Sequence, residues 1–260
     1  MEILDRPNPI FNRKPDFGEI FGESKELYQK LFGYGAIAVL IYLVASAIVG
    51  FVFESATGLN ALSQQLAEEL EGSRDFNTIY EKAIDFYSDN TAVALITRFG
   101  TDFILLLSFP LAGGFMLVCR EMDRDGFSSV STLFEGFKPY YWSRLMVLAL
   151  IYFVLSKIGL FLFVIPGIYI WVAAVLGCPF VMFGGKGGVD ALKSSVNLVN
   201  QNWFEVFKIL LVATLIGWAG YLICCVGRVF TYPFVFVTVY MLYKHMVGFD
   251  DDPISEIGEN

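Results

Sequence analysis

The chain has 260 residues, 56% of them hydrophobic and 17% charged, with a net charge of −8 at pH 7. Soluble domains run at about 45–50% apolar and about 25% charged residues, so this composition points away from an ordinary soluble enzyme. The acidic balance, with no basic stripe to neutralise phosphates, excludes nucleic acid as a partner.

The start of the chain is polar and broken by Pro7, Pro9 and Pro15. It lacks the charged and then apolar regions of a secretory signal, so insertion is expected to rely on the first spanning helix. An amphipathic stretch, Phe17–Leu31, leads into Gly33–Phe53, which carries no charge at all. A helix needs about 20 such residues to cross the ~30 Å hydrocarbon core. Further spans are expected at Phe103–Cys119, Ser143–Phe163, Ile168–Phe183, Phe204–Cys224 and Phe230–Met246. The reading is an all-α, polytopic membrane bundle of about six helices in three hairpins, with interfacial amphipathic helices. Residues 1–32 form an N-terminal segment, 33–248 the spanning domain and 249–260 an acidic tail.

Residues 54–97 form the one sizeable polar connection. Leu59, Leu62, Leu66 and Leu70 make one helical stripe, and Phe76, Ile79, Tyr80, Ala83, Ile84 and Tyr87 make another. Gly72-Ser73 separates them, so two short amphipathic helices are expected, forming a lid over the outer mouth of the bundle. Their acidic faces read first as solvated surface and only second as a cation or partner site.

The third and fourth spans share one apolar run, broken at Ile165-Pro166-Gly167-Ile168. Pro then Gly suits the centre of a type II turn, so a tight helical hairpin is expected there. A weak repeat at a shift of 61 residues places Trp142 and Gly159 on Trp203 and Gly220, and Val164–Ile168 on Cys225–Val229. Amphipathic stretches precede the odd-numbered spans, at Phe17–Leu31, Ser128–Tyr141 and Val189–Asn202. In the last, Val189, Leu192, Val196 and Val199 recur at helical spacing, as in a helix lying in the membrane interface. Small-residue pairs, Ser46/Gly50, Ala173/Gly177 and Ala213/Gly217, suit close helix packing.

Orientation follows from Lys and Arg. With the N-terminus in the cytoplasm, thirteen of the 18 basic residues fall on inner segments. Arg74, Lys82, Arg98, Lys157 and Arg228 fall outside or at outer helix ends. Six spans then put both termini in the cytoplasm of a cell whose inner membrane holds the protein. Trp142, Trp203, Tyr140 and Tyr141 fall at the inner boundary, where aromatic rings anchor.

Candidates for chemistry are few. Lys157 lies six positions before the end of the third span, and an intramembrane lysine is a functional candidate by default. Its competing reading is snorkelling to the interface. Asp102 and Arg98, four apart, form either a local pair at the outer interface or a partner site for Lys157. The turn Phe183–Asp190 contains Lys186, Gly187 and Gly188 at a helix start. That arrangement can hold a lipid-headgroup phosphate, although turn formation alone explains the glycines. Cys119, Cys178, Cys224 and Cys225 read as packing residues. With one histidine in the chain, His245, no Cys/His zinc pattern is available. No catalytic set, metal centre or cofactor is expected. Membrane lipid, and second another membrane protein, are the expected partners.

Several short motifs carry a resemblance. They are Phe109-Pro110 with Gly113-Gly114, Leu133-Phe134-x-Gly136-Phe137, Ile165–Ile168, Pro179, Ala191-Leu192-Lys193-Ser194-Ser195, Cys224-Cys225-Val226-Gly227 and Tyr232-Pro233. Through them, Phe109–Gly248 resembles a loose group of bacterial six-helix membrane proteins. That group includes the membrane domain joined to some glycerophosphodiester phosphodiesterases. The resemblance implies a fold and an inner-membrane location. No soluble phosphodiesterase domain accompanies the motifs, so hydrolase activity is not expected. The expected function is a non-enzymatic membrane scaffold or accessory subunit that binds lipid. The alternative is a small transporter for a lipid-like or hydrophobic solute.

Overall fold

The computed structural model describes residues 13–57, 59–70, 75–89, 91–162, 164–223 and 227–249. Among them are eleven α-helices and two short 3-10 helices, and no strand. Five helical stretches are long and apolar enough to cross a membrane: Phe17–Val52, Asp102–Asp125, Pro139–Gly159, Ile165–Met182 and Gly188–Tyr221. The protein is an all-α helical bundle of membrane type. Its contacts divide it into two compact units, Ile41–Leu107 and the remainder.

The first unit comprises the end of α1 (Phe17–Thr57), α2 (Leu59–Leu70), α3 (Phe76–Asp89) and the start of α4 (Thr91–Asp125). The two helices expected from the leucine and aromatic stripes are therefore present. Asp75 opens α3, accepting from the backbone N–H and the hydroxyl of Thr78, each at 3.2 Å. Such a side-chain cap satisfies donors the first helical turn leaves free. Phe86 is buried, whereas Phe76, Tyr80 and Ile84 are exposed.

The larger unit begins with the first part of α1. The amphipathic stretch and the first span are one continuous helix, with no break at Gly33. Ile20, Ser24, Leu27, Leu31, Gly35 and Ala38 are buried, at the three- and four-residue spacing of a single helix face. That face meets α11 (Pro233–Met246), and the two helices run antiparallel. Phe21 and Tyr28 pack their rings on Phe234 at 5.4 and 5.6 Å, and Phe32 stacks at 5.1 Å on Phe230, in the short helix just before α11. A Cβ at Gly35 would sit 2.7 Å from that of Pro233, so glycine permits this approach.

The sixth expected span is shorter than the sequence suggests. It comprises α10 (Gly227–Thr231) and α11, which has 14 residues. At 1.5 Å per residue α11 is only about 21 Å long. Residues from Val237 to Tyr243 are all buried. A helix apolar all round is covered all round, and α11 is the central helix of this unit.

The Pro166-Gly167 turn is not where the sequence places it. Pro166 lies in the first turn of α6 (Val164–Ala173), and α5 (Pro139–Leu162) ends before residue 163. Proline is tolerated there because its missing N–H would have no helical partner. Gly159 of α5 instead lets the two helices approach at Gly167, since a Cβ on Gly159 would lie 3.0 Å from the Gly167 Cα. The internal repeat has the same physical content. In α9 (Trp203–Ile223), Gly220 lies directly against the backbone of Gly227 and Arg228. Each of the two hairpins therefore crosses at a glycine pair.

The other glycine motifs are explained similarly. Ser128–Tyr141 forms a 3-10 helix, Val130–Phe137, rather than an α-helix. A Cβ on Gly136 would overlap the Pro110 carbonyl, and one on Gly114 would overlap the Leu133 carbonyl. Of the small-residue pairs, Gly177 packs on Leu148 and Gly217 on Val235, whereas a Cβ added at Gly50 would meet nothing within 4 Å. Cys119 and Cys178 are buried free thiols, as packing residues should be. Cys224, Cys225, the Gly72-Ser73 separator and the acidic tail beyond Phe249 lie outside the described residues.

Candidate functional site

The fourth span is broken. Helix α6 ends at Ala173, and α7 (Gly177–Met182) begins after a three-residue turn. Inside the turn, Val175 N–H bonds to Val172 and Gly177 N–H to Ala174. That shift leaves the Leu176 N–H and the Ala173 carbonyl without helical partners. Ser195 satisfies both: its Oγ accepts from Leu176 N at 3.0 Å and donates to Ala173 O at 2.7 Å. Ser195 itself is fully buried.

Ser195 lies on α8 (Gly188–Val199), the amphipathic segment expected in the membrane interface. Its buried face is Ala191, Leu192, Ser195, Leu198 and Val199. That face is rotated from the expected valine stripe, and Val189 is exposed. The face covers other helices: Gly188 lies against the backbone of Arg144 and Leu148 on α5, and Ser195 enters the α6–α7 break. Further along, Tyr169 donates to Asn200 at 3.0 Å and its ring stacks 6.2 Å from Trp203. The sequence puts those residues at opposite membrane boundaries. They meet because α8 runs back along α6, with Ser195 bonded at Ala173 and Asn200 at Tyr169.

A polar seam runs beside α11. Asp123, near the end of α4, accepts from Tyr240 Oη and Lys244 Nζ, both at 2.8 Å. The two charged side chains are 22% and 25% exposed, so water screens this pair less than a surface pair. Two residues earlier on α4, Glu121 accepts from Ser128 at 2.6 Å and Thr132 at 3.0 Å, tying the 3-10 helix to α4. The Arg120 guanidinium lies over the rings of Phe249 and Phe183, at 4.2 and 5.6 Å. His245, in the last turn of α11, faces Glu23 at 3.1 Å and Glu19 at 3.9 Å on α1.

The sequence candidates fall outside this seam. Lys157 is half-buried on α5, its ammonium 5.0 Å from the centre of the Phe153 ring. Asp102 is half-buried on α4, in the other compact unit. Arg98 lies on the same helix, with its side chain outside the described set. Lys186 donates to Ser194 Oγ at 2.7 Å and lies over the Phe180 ring at 4.7 Å. Gly187 is the N-cap of α8, and Gly188 serves the close approach to α5. Nearby, Arg144 donates to the Gly185 carbonyl and stacks 3.9 Å over Tyr140.

Asp123, Glu121, Glu19 and Glu23 were not singled out from the sequence. Asp123 lies 121 residues from Lys244, and Glu23 lies 222 from His245. A local signal did exist for one group. Glu19 and Glu23 are one helical turn apart, as is required for a shared face. Comparison with protein-family models, curated proteins and solved structures finds no match.

Proposed function

We propose that this chain is a non-enzymatic membrane scaffold or accessory subunit of the inner membrane, with both termini cytoplasmic and lipid as its constant partner. The observation that carries the reading is the interlocking of its charged groups. Asp123 is engaged by Tyr240 and Lys244, Glu121 by Ser128 and Thr132, and Arg144 by Gly185 and Tyr140. These contacts fasten helices to one another. Around them, α5 exposes Val147, Leu150, Val154 and Ile158, and α9 exposes Leu211, Leu215 and Trp218. Such apolar faces suit contact with acyl chains. Lys186 and Arg144, beside the turn before α8, are well placed to meet anionic headgroups. The resemblance to the phosphodiesterase-linked membrane domains belongs to this proposal for fold and location only.

The test is native mass spectrometry of the full chain released from nanodiscs of mixed zwitterionic and anionic phospholipid. Anionic lipid should be retained preferentially, and the K186Q/R144Q double variant should lose that preference. Equal retention of both lipid classes by the unmodified chain would contradict the lipid component.

A second reading, a transporter for lipid-like solutes, draws on the α6–α7 break. Discontinuous helices commonly mark transporter binding sites. Here Ser195 fills the break and both freed backbone groups are bonded to it, which favours the scaffold.

A further inference from the structure

His245 is the one histidine of the chain. Its imidazole is 8% exposed, and each ring nitrogen faces a different carboxylate. Nε2 is 3.1 Å from a Glu23 oxygen, and Nδ1 is 3.9 Å from a Glu19 oxygen. One imidazole nitrogen and one oxygen from each glutamate lie within 4.8 Å of one another. We propose that Glu19, Glu23 and His245 form a binding site for a divalent transition-metal ion, with Zn²⁺ the best match, that staples α1 to α11.

Three observations support the assignment. The first is charge: two carboxylates face one imidazole, so protonating the ring leaves one negative charge over. A divalent ion with a neutral imidazole balances both. The second is donor type. One nitrogen and two oxygens suit Zn²⁺ and, less well, Mn²⁺, whereas Mg²⁺ and Ca²⁺ favour all-oxygen sites. Three protein ligands also leave a fourth position open for water or an outside group. The third is placement. The ring pairs Phe21–Phe234 and Tyr28–Phe234 hold the two helices in register beside the cluster. Ligand atoms at ~2.0–2.2 Å from a common tetrahedral ion lie ~3.4 Å apart, and here one atom from each residue lies within 4.8 Å of the others, so the set closes on a single ring nitrogen by side-chain movement. Glu19 and Glu23 are 43% and 39% exposed, which leaves an access path for the ion.

The experiment is calorimetric titration of the full chain in detergent with Zn²⁺, then Mn²⁺, then Mg²⁺. Any polyhistidine tag must be removed first. One Zn²⁺ should bind per chain, Mn²⁺ should bind more weakly, and Mg²⁺ should give no saturable heat. H245Q and E23Q should each weaken Zn²⁺ binding by at least the ~10–100-fold that losing an outer-shell partner costs. D190N, on the exposed face of α8, should leave it unchanged. If H245Q fails to fold, the E19Q/E23Q variant carries the same test through exposed side chains. A Co²⁺ spectrum should lack thiolate charge-transfer absorption. The absence of saturable Zn²⁺ binding would overturn the site, leaving a plain His245–Glu23 contact. So would unchanged affinity in E19Q/E23Q, or a thiolate band assigning the ion to cysteine.

Discussion

Ser195 accepts a hydrogen bond from the Leu176 backbone N–H at 3.0 Å, and the same hydroxyl donates to the Ala173 carbonyl at 2.7 Å. One side chain thus mends both ends of the break between α6 and α7. Ser195 is fully buried, so bulk solvent does not reach these backbone groups. Ser195→Ala should strand a buried donor and a buried acceptor, at about 1–3 kcal/mol for such an unsatisfied group. Ser194→Ala removes only a half-exposed bond to Lys186 and should cost less than ~1 kcal/mol. Thermal unfolding of both variants in one detergent would check the difference. Equal effects would mean that the break is held by other contacts.

Glycine positions give a sharper contrast. Gly114→Ala would push a methyl group into the Leu133 carbonyl, and Gly136→Ala would push one into the Pro110 carbonyl. Backbone cannot yield as a flexible side chain does, so each should lose at least the ~1–3 kcal/mol typical of overpacking. Gly22 is exposed on α1 with nothing within 4 Å of an added Cβ. Gly22→Ala should stabilise, by about 0.5–1 kcal/mol, through helix propensity. Denaturation midpoints of the three variants provide the measurement.

Asp123 and Lys244 should be energetically coupled. Asp123→Asn and Lys244→Met each break a partly buried pair, and the double variant removes both charges. The interaction energy from the cycle should fall in the ~0.5–3 kcal/mol range of contacting residues. Tyr240→Phe should weaken the same site without changing its charge. A coupling within error of zero would mean that the seam is only a surface contact.

Much of this fold was legible in the sequence. The apolar runs, the stripes of α2 and α3 and the Trp/Gly repeat all read locally, because helices are written at spacings of three and four. The break after Ala173 was not legible. Its cause is a hydroxyl 22 residues away that offers the backbone alternative bonds. The Pro166-Gly167 pair was misread as a turn, since proline also suits a first helical turn. The polar seam was invisible for a related reason. Asp123, Lys244, Glu23 and His245 have ordinary sequence neighbours, and only the docking on α11 of an antiparallel α1 and a parallel α4 unites them. Lys157 stood out by its location in an apolar run, yet location alone does not name a contact.

The orientation in the proposal can be checked in whole cells. Cysteines introduced as Gln64→Cys or Ser88→Cys should react with an impermeant thiol reagent, whereas Ser255→Cys should react only after lysis. Labelling of Ser255→Cys in intact cells would reverse the assignment of the termini.

The central claim is that the polar groups lock the bundle and that Ser195 closes the break between α6 and α7. The most direct measurement is translocation of a fluorescent phospholipid across vesicles reconstituted with the full chain, with and without Ser195→Ala. The scaffold account predicts translocation equal to that of protein-free vesicles for the unmodified chain. Protein-dependent translocation by the unmodified chain, altered by Ser195→Ala, would contradict that account and place a transport path at the α6–α7 break.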